Sequence, residues 1–243
     1  MLTRHKARNW ATAGLASLVC LGAPASSQQL DYVKAEFSVY INNKKAHGDN
    51  HLNISHEQNR YRIDFDFEHS LLSVRQEAKF DMQDCEVRPV SYRDLTRPAI
   101  GRERHYKLDF DYDRGKASYK GPGKQKEFDL DSRLYDPISL FFEARCELMQ
   151  GNDAFAYPVI RKGSQKTQHF EVTGKKTIET GQGDVETLVV ERRRRNNKRK
   201  TLFYVAPDLD YLLIMIEHRE SRLMTITARL EHMDYRLTPP DTD

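Results

Sequence analysis

The sequence predicts a mainly β protein: an antiparallel meander of about eleven strands, folded as a sandwich or a curled sheet, with one helix over about 136–149. Three observations predict it. Apolar residues alternate with polar ones through most of the chain, turn residues interrupt that alternation at short intervals, and one segment alone switches to a helical stripe.

The first 27 of the 243 residues read as a secretory leader. Arg4, His5, Lys6 and Arg8 precede an apolar stretch from Trp10 to Leu21, and the small residues Ala23 to Ser27 follow. At 1.5 Å per residue that stretch is too short for a bilayer core of ~30 Å, so a cleaved signal is expected rather than an anchor. Val19 before Cys20 does not suit lipidation. The expected destination is the periplasm, with 28–237 as one domain and 238–243 as a flexible tail. Removing Arg4, Lys6 and Arg8 from the 39 basic residues leaves 36, equal to the 36 acidic ones. A neutral chain lacks the one-sided field of a general nucleic-acid binder, so no nucleic-acid partner is expected. No later segment is apolar for long enough to span a membrane as a helix.

Among the strands, Arg60–Glu68 sends Tyr61, Ile63, Phe65 and Phe67 to one face, and Arg62, Asp64 and Asp66 to the other. Arg104–Tyr112 repeats the pattern with Tyr106, Leu108, Phe110 and Tyr112. Both read as strands with one face on a core and one in water. Turn signals include Asn42-Asn43, Arg114-Gly115, Gly121-Pro122-Gly123 and Gly181-Gln182-Gly183. A short helical turn is read at His69–Val74.

The helix opens on Asp136-Pro137, a cap residue followed by a good first helical residue, and Gly151 follows its end. Ile138, Phe141, Phe142, Leu148 and Met149 make its apolar stripe, and Arg145 lies within that stripe. Strands then resume, with Tyr211–Ile216 expected to be buried on both faces. Cys85 and Cys146 would meet an oxidising compartment, where they form one disulfide or remain two free thiols.

Several of these segments resemble the bacterial exported domain-of-unknown-function family 3108. The helix carries Asp136-Pro137-Ile138-Ser139-Leu140 and ends near Arg145; a later strand reads Gly183-Asp184-Val185-Glu186-Thr187; then come Tyr204-Val205-Ala206-Pro207-Asp208 and Ile216-Glu217. Leu213-Ile214-Met215 departs from the proline and valine usual after the Tyr-Leu pair. The resemblance implies a curved antiparallel half-barrel with the helix in its concave face, similar to the periplasmic lipoprotein carriers. It brings no established activity.

Candidate functional residues follow from this frame. Phe65, Phe67, Phe110, Tyr112, Ile138, Phe141 and Phe142 would line an apolar pocket of several hundred Å³ between helix and sheet. Arg145 would meet a negative headgroup there, or else cover apolar surface with its stem while its guanidinium reaches water, or form a structural ion pair. Packing and pairing are the commoner use of such an arginine. The bland reading of the same aromatics is a filled core. Arg192, Arg193, Arg194, Arg195, Lys198, Arg199 and Lys200 crowd a hairpin tip within 191–200. They read as a contact for anionic lipid or as a solvated edge. His47, Asp49, His51 and His56 lie close in sequence but converge poorly for a metal, and none is expected. No nucleophile, phosphate-loop or zinc-protease motif occurs, so no enzyme and no cofactor are expected. The expected partner is a lipid or another apolar molecule, or else an envelope protein docked at a sheet edge or at the basic hairpin.

Overall fold

The computed structural model describes residues 29–130, 133–194 and 199–238. The leader reading (1–27) and nearly all of the tail reading (238–243) lie outside the described residues, as do Arg195 and Lys198. The first half of the sheet contains β1 (Gln29–Ile41), β2 (Lys44–Lys45), β3 (Asn50–Glu57), β4 (Arg60–His69), β5 (Leu72–Gln83), β6 (Glu86–Pro98), β7 (Arg104–Asp111), β8 (Lys116–Gly121) and β9 (Lys124–Asp129). After α1 (Leu140–Met149) come β10 (Ala154–Arg161), β11 (Ser164–Thr180), β12 (Gly183–Arg193), β13 (Lys200–Ala206), β14 (Leu212–Ser221) and β15 (Met224–Thr238).

All fifteen strands among the described residues belong to one antiparallel sheet. The count exceeds the expected eleven for identifiable reasons. β9, Lys-Gln-Lys-Glu-Phe-Asp, buries only Phe128 and has little alternation to read. His69–Val74 is no helical turn but the β4–β5 hairpin, in which His69 pairs with Leu72.

β1 is the seam. It pairs with β15 along its whole length and with β3 over Tyr32–Glu36, so two meanders spread from it in opposite directions. Register shifts in the β1–β15, β5–β6, β11–β12 and β13–β14 ladders bend the sheet. The outermost strands, β9 and β10, approach without a shared ladder. Tyr135 fills the gap: its N–H donates to Pro158 O at 3.0 Å and its carbonyl accepts from Ile160 N at 2.9 Å. Nearby, Lys124 Nζ donates to Gly163 O at 2.7 Å. Gly163 has φ +67° and a Cβ there would lie 2.6 Å from the Tyr119 ring, so only glycine suits this approach. The result is a curved half-barrel with its helix against the concave face.

Asp136 starts the helical segment with its side chain. Its carboxylate accepts from Ile138 N at 2.8 Å, Ser139 N at 2.9 Å and Ser139 Oγ at 2.6 Å. The first turn is tight, with Phe141 N on Ile138 O, so regular α-helix begins at Leu140 rather than at 136. The buried face is Leu140, Phe142, Glu143, Arg145, Cys146 and Leu148. That corrects the expected stripe: Phe141 stays 37% exposed. The helix is wedged between two sheet walls, and a disulfide from Cys146 to Cys85 in the β5–β6 turn joins it to one of them. In β14, Leu212, Ile214 and Met215 are buried while Leu213 and Ile216 are half-buried.

Candidate functional site

Around Phe142 the space between α1 and the sheet is occupied by protein. Phe142 packs against Tyr61 and Phe80 with ring centroids 5.2 and 4.7 Å away, and Tyr61 stacks on Phe80 at 5.3 Å. The expected apolar pocket is therefore a core, because aromatic rings on facing walls fill the gap that an acyl chain would need. The residues expected to line it are dispersed. Phe110 belongs to a second cluster with Leu108, Ala117 and Phe128, which Ile138 flanks. Phe141 meets Phe203 edge-on at 5.2 Å. Tyr112 is 39% exposed under the Arg88 guanidinium. Phe65 and Phe67 are half-buried toward the other end of β4.

Arg145 is also not a headgroup contact. Its Nε donates to Asp210 O at 2.7 Å and its Nη2 pairs with the Asp210 carboxylate. Burial lowers the guanidinium pKa to about 10. Beside it, Glu143 is buried and takes an ion pair from Arg133 at 3.0 Å, while the Tyr157 hydroxyl donates to Glu147. Burial raises both the Tyr135 and Tyr157 phenols, which remain protonated. An open recess at this end is walled by Arg60, Asp81, Arg88, Glu143 and Glu147. Its charged walls do not suit an apolar ligand.

The opposite end is built differently. Seven connections meet there: β1–β3, β4–β5, β6–β7, β8–β9, β10–β11, β12–β13 and β14–β15. Hydrogen bonds tie neighbouring tips into a rim: Ala99 N to Leu71 O at 2.9 Å, Asn42 Nδ2 to Leu223 O at 2.9 Å, and Lys124 to Gly163. The described residues of these connections include the bases Lys44, Lys45, Arg102, Lys162, Arg194, Arg199 and Arg222 and the acids Asp49 and Glu103, while Arg199 and Lys45 also pair with Glu220 and Glu231 on the adjoining strands. Three large apolar side chains stand out at the same tips: Leu71 at 68%, Ile100 at 94% and Leu223 at 85% exposure. In the connections at the helix end the balance is reversed, with Asp84, Asp113, Asp153 and Asp208 exposed against Arg114 and Arg133.

Inside this rim the apolar core gives way to a polar belt. Arg192 follows Val190 on the inward face of β12 and pairs with Thr201 in the ladder. Its Nη2 donates to Thr201 Oγ1 at 2.9 Å and its Nη1 approaches Gln168 Oε1 at 3.4 Å, while its buried Nε has no partner. Burial, and after it the charges of Arg194 and Arg161, together lower its pKa to about 10. Thr201 continues to His218 at 2.9 Å, His218 to Glu220 at 3.0 Å, and Glu220 to Arg199. Across the mouth, Asp94 accepts from Gln76, Tyr92 and Thr96.

The basic hairpin is thus not one uniform surface. Arg192 points inward. Arg193 pairs with Glu171 and Glu191, and Lys200 with Glu191. Sequence reasoning missed Arg161, Gln168 and the apolar tips. Arg161 is brought to Arg192 only by the folding of β10 against β12 through β11. His56 stacks on Tyr61 and pairs with Gln29, away from His47 and His51. Among the described residues, no three His, Cys, Asp or Glu side chains gather as a metal site. None of the described helices is long and apolar enough to cross a membrane.

A search among curated proteins finds no match. Among solved structures, the chain is similar to a β-barrel-like protein of domain of unknown function DUF1849 from Brucella abortus. The TM-score is 0.56 at 9% identity, covering 86% of this chain and 99% of that one. That likeness concerns the fold alone. The family model described as "Protein of unknown function (DUF3108)" matches residues 36–225. A match that runs from β1 through all the sheet to the start of β15 means that the chain belongs to the DUF3108 family.

Proposed function

We propose that the protein is a non-catalytic protein of the bacterial envelope, exported to the periplasm, that seats its open rim on an anionic lipid surface. The observation that carries this reading is the combination at the rim of Leu71, Ile100 and Leu223, highly exposed, with a basic surround. Exposed leucine and isoleucine at loop tips enter the headgroup–acyl boundary, and neighbouring lysines and arginines each contribute about 1 kcal/mol at an anionic surface. The acidic far end orients the molecule, because the same membrane repels it. Docking of a protein strand at the sheet edge is the weaker reading. The edge strand β9 presents Lys124, Gln125, Lys126 and Glu127 to solvent, a composition that discourages strand addition.

Vesicle cosedimentation tests the proposal. The protein should pellet with vesicles containing phosphatidylglycerol and stay in solution with phosphatidylcholine alone. Binding should weaken as salt shortens the Debye length. Equal partition between the two vesicle types, or no binding to either, would overturn it.

A further inference from the structure

We propose that the mouth inside the rim holds a phosphate-binding site, built around Arg192 and completed by Arg161 and Arg194. The inference goes beyond rim docking, because a soluble phosphate could occupy the site without any membrane. Arg192 is on the concave face, opposite Phe170 in the ladder and two residues beyond Val190, which pairs with Phe203. Its hydrogen-bond partners, Thr201 and Gln168, are both neutral. The charges that bear on it are two further arginines. Among the described residues, none of the three arginines has a carboxylate within ion-pair distance. The acids nearby are hydrogen-bonded or ion-paired elsewhere: Glu220, whose charge also reaches Arg194, with Arg199 and His218, and Asp94 with Gln76, Tyr92 and Thr96.

Such an arrangement is costly in an empty protein. A partly desolvated guanidinium needs a counter-charge, and three together repel one another. The sequence supplies no acid in the segment that completes this hairpin, since residues 195–198 are Arg-Asn-Asn-Lys. An external anion would meet the remaining Nη donors of Arg192 and the donors of the other two, and its charge would offset the guanidinium whose sealed Nε has no partner. Arginine forks match the paired oxygens of phosphate, and a multiply charged group suits three cations better than a single carboxylate does. Thr201 and Gln168 hold the Arg192 plane in place, as a preorganised site requires.

Calorimetric titration of the whole protein in phosphate-free buffer tests this, with inorganic phosphate and glycerol phosphate as probes and chloride at matched ionic strength as control. Saturable binding of either phosphate, absent with chloride, is expected. Arg192→Gln should weaken it by about tenfold or more, the loss expected for one charge-assisted contact. The same variant should raise Tm in phosphate-free buffer, because it removes a buried charge without a partner. Arg161→Gln, at an exposed position, should fold as the wild type does and also weaken binding. Vesicles of phosphatidic acid separate the sources. Retention on them that Arg192→Gln abolishes, exceeding the affinity for glycerol phosphate, assigns the site to a lipid headgroup; tighter binding of the soluble ester assigns it to a small molecule. A response identical for phosphate and chloride, or unchanged in both variants, would overturn the site. So would an Arg192→Gln protein that is destabilised yet binds phosphate normally.

Discussion

Arg145, in the middle of α1, holds Asp210 by both backbone and side chain across 65 residues of sequence. Asp210 and Tyr211 have φ values of 55° and 57°, a left-handed pair that neither residue favours. The guanidinium takes the Asp210 carbonyl that this turn leaves without a ladder partner, and the carboxylate neutralises the buried cation. Removing either partner alone leaves a buried charge or an unpaired carbonyl. Arg145→Ala and Asp210→Ala should each cost about 3–5 kcal/mol in chemical denaturation. The double variant should cost less than the sum, with a coupling of about 1–3 kcal/mol. Additive losses would mean that the pair is incidental.

The disulfide between Cys85 and Cys146 joins α1 to the β5–β6 turn, where Asp84 and Cys85 also have positive φ. It closes a loop with a sequence separation of 61, for which chain entropy gives about 4 kcal/mol. Replacing both cysteines, Cys85→Ser with Cys146→Ala, should lower Tm by roughly 10 °C. Dithiothreitol should lower the wild-type Tm similarly and leave the variant unchanged.

What the sequence made legible depended on how local the determining forces are. Alternation in Arg60–Glu68 was enough for β4, and Asp136-Pro137 was enough for the helix start, because caps and pleats are settled by near neighbours. The rotation of α1 was not legible, because two walls and a disulfide set it, not its own stripe. Arg145 stood out as a charge among apolar residues, but its partner sits on a turn far along the chain. Arg192 could have been placed inward by its parity with Val190. Its company with Arg161 could not, since three strands must pair first. Leu71 was hidden by a turn that resembles a helix, and the rim exists only once seven separate tips meet.

Asp136 should give the protein a measurable acid response. Its carboxyl is fully buried, and burial raises its pKa although Ser139 and Ile138 donate to it. A folded-state pKa above the unfolded value means that the folded chain holds this proton more tightly. The contribution to stability is then greatest below the unfolded value and is lost as pH rises through the folded one. Asp136→Asn keeps an acceptor for the two backbone N–H groups and removes the charge. It should match or exceed the wild type at pH 7 and flatten the pH dependence of stability above the ordinary carboxylate range. Asp136→Ala leaves the donors of Ile138 and Ser139 unpaired and should cost about 1–3 kcal/mol at any pH. An Asn variant that is less stable at pH 7 and shows the wild-type pH dependence would mean that Asp136 is an ordinary ionised cap.

The rim predicts a separation of two contributions to membrane affinity. Ile100 is 94% and Leu223 85% exposed, so charged replacements there should change folding stability by no more than about 0.5 kcal/mol. Burying either side chain in a bilayer contributes about 1.5–3 kcal/mol. Ile100→Asp and Leu223→Asp should therefore each weaken binding to phosphatidylglycerol vesicles by roughly tenfold or more, a loss that persists at high salt. Lys162→Glu should weaken binding at low salt and converge on the wild type as salt rises, because it removes only a screened attraction. Asp113→Lys, at the acidic end, should leave binding unchanged if the molecule docks in one orientation. Were Asp113→Lys to raise affinity as much as Lys162→Glu lowers it, net charge alone would account for binding and the rim would lose its special standing.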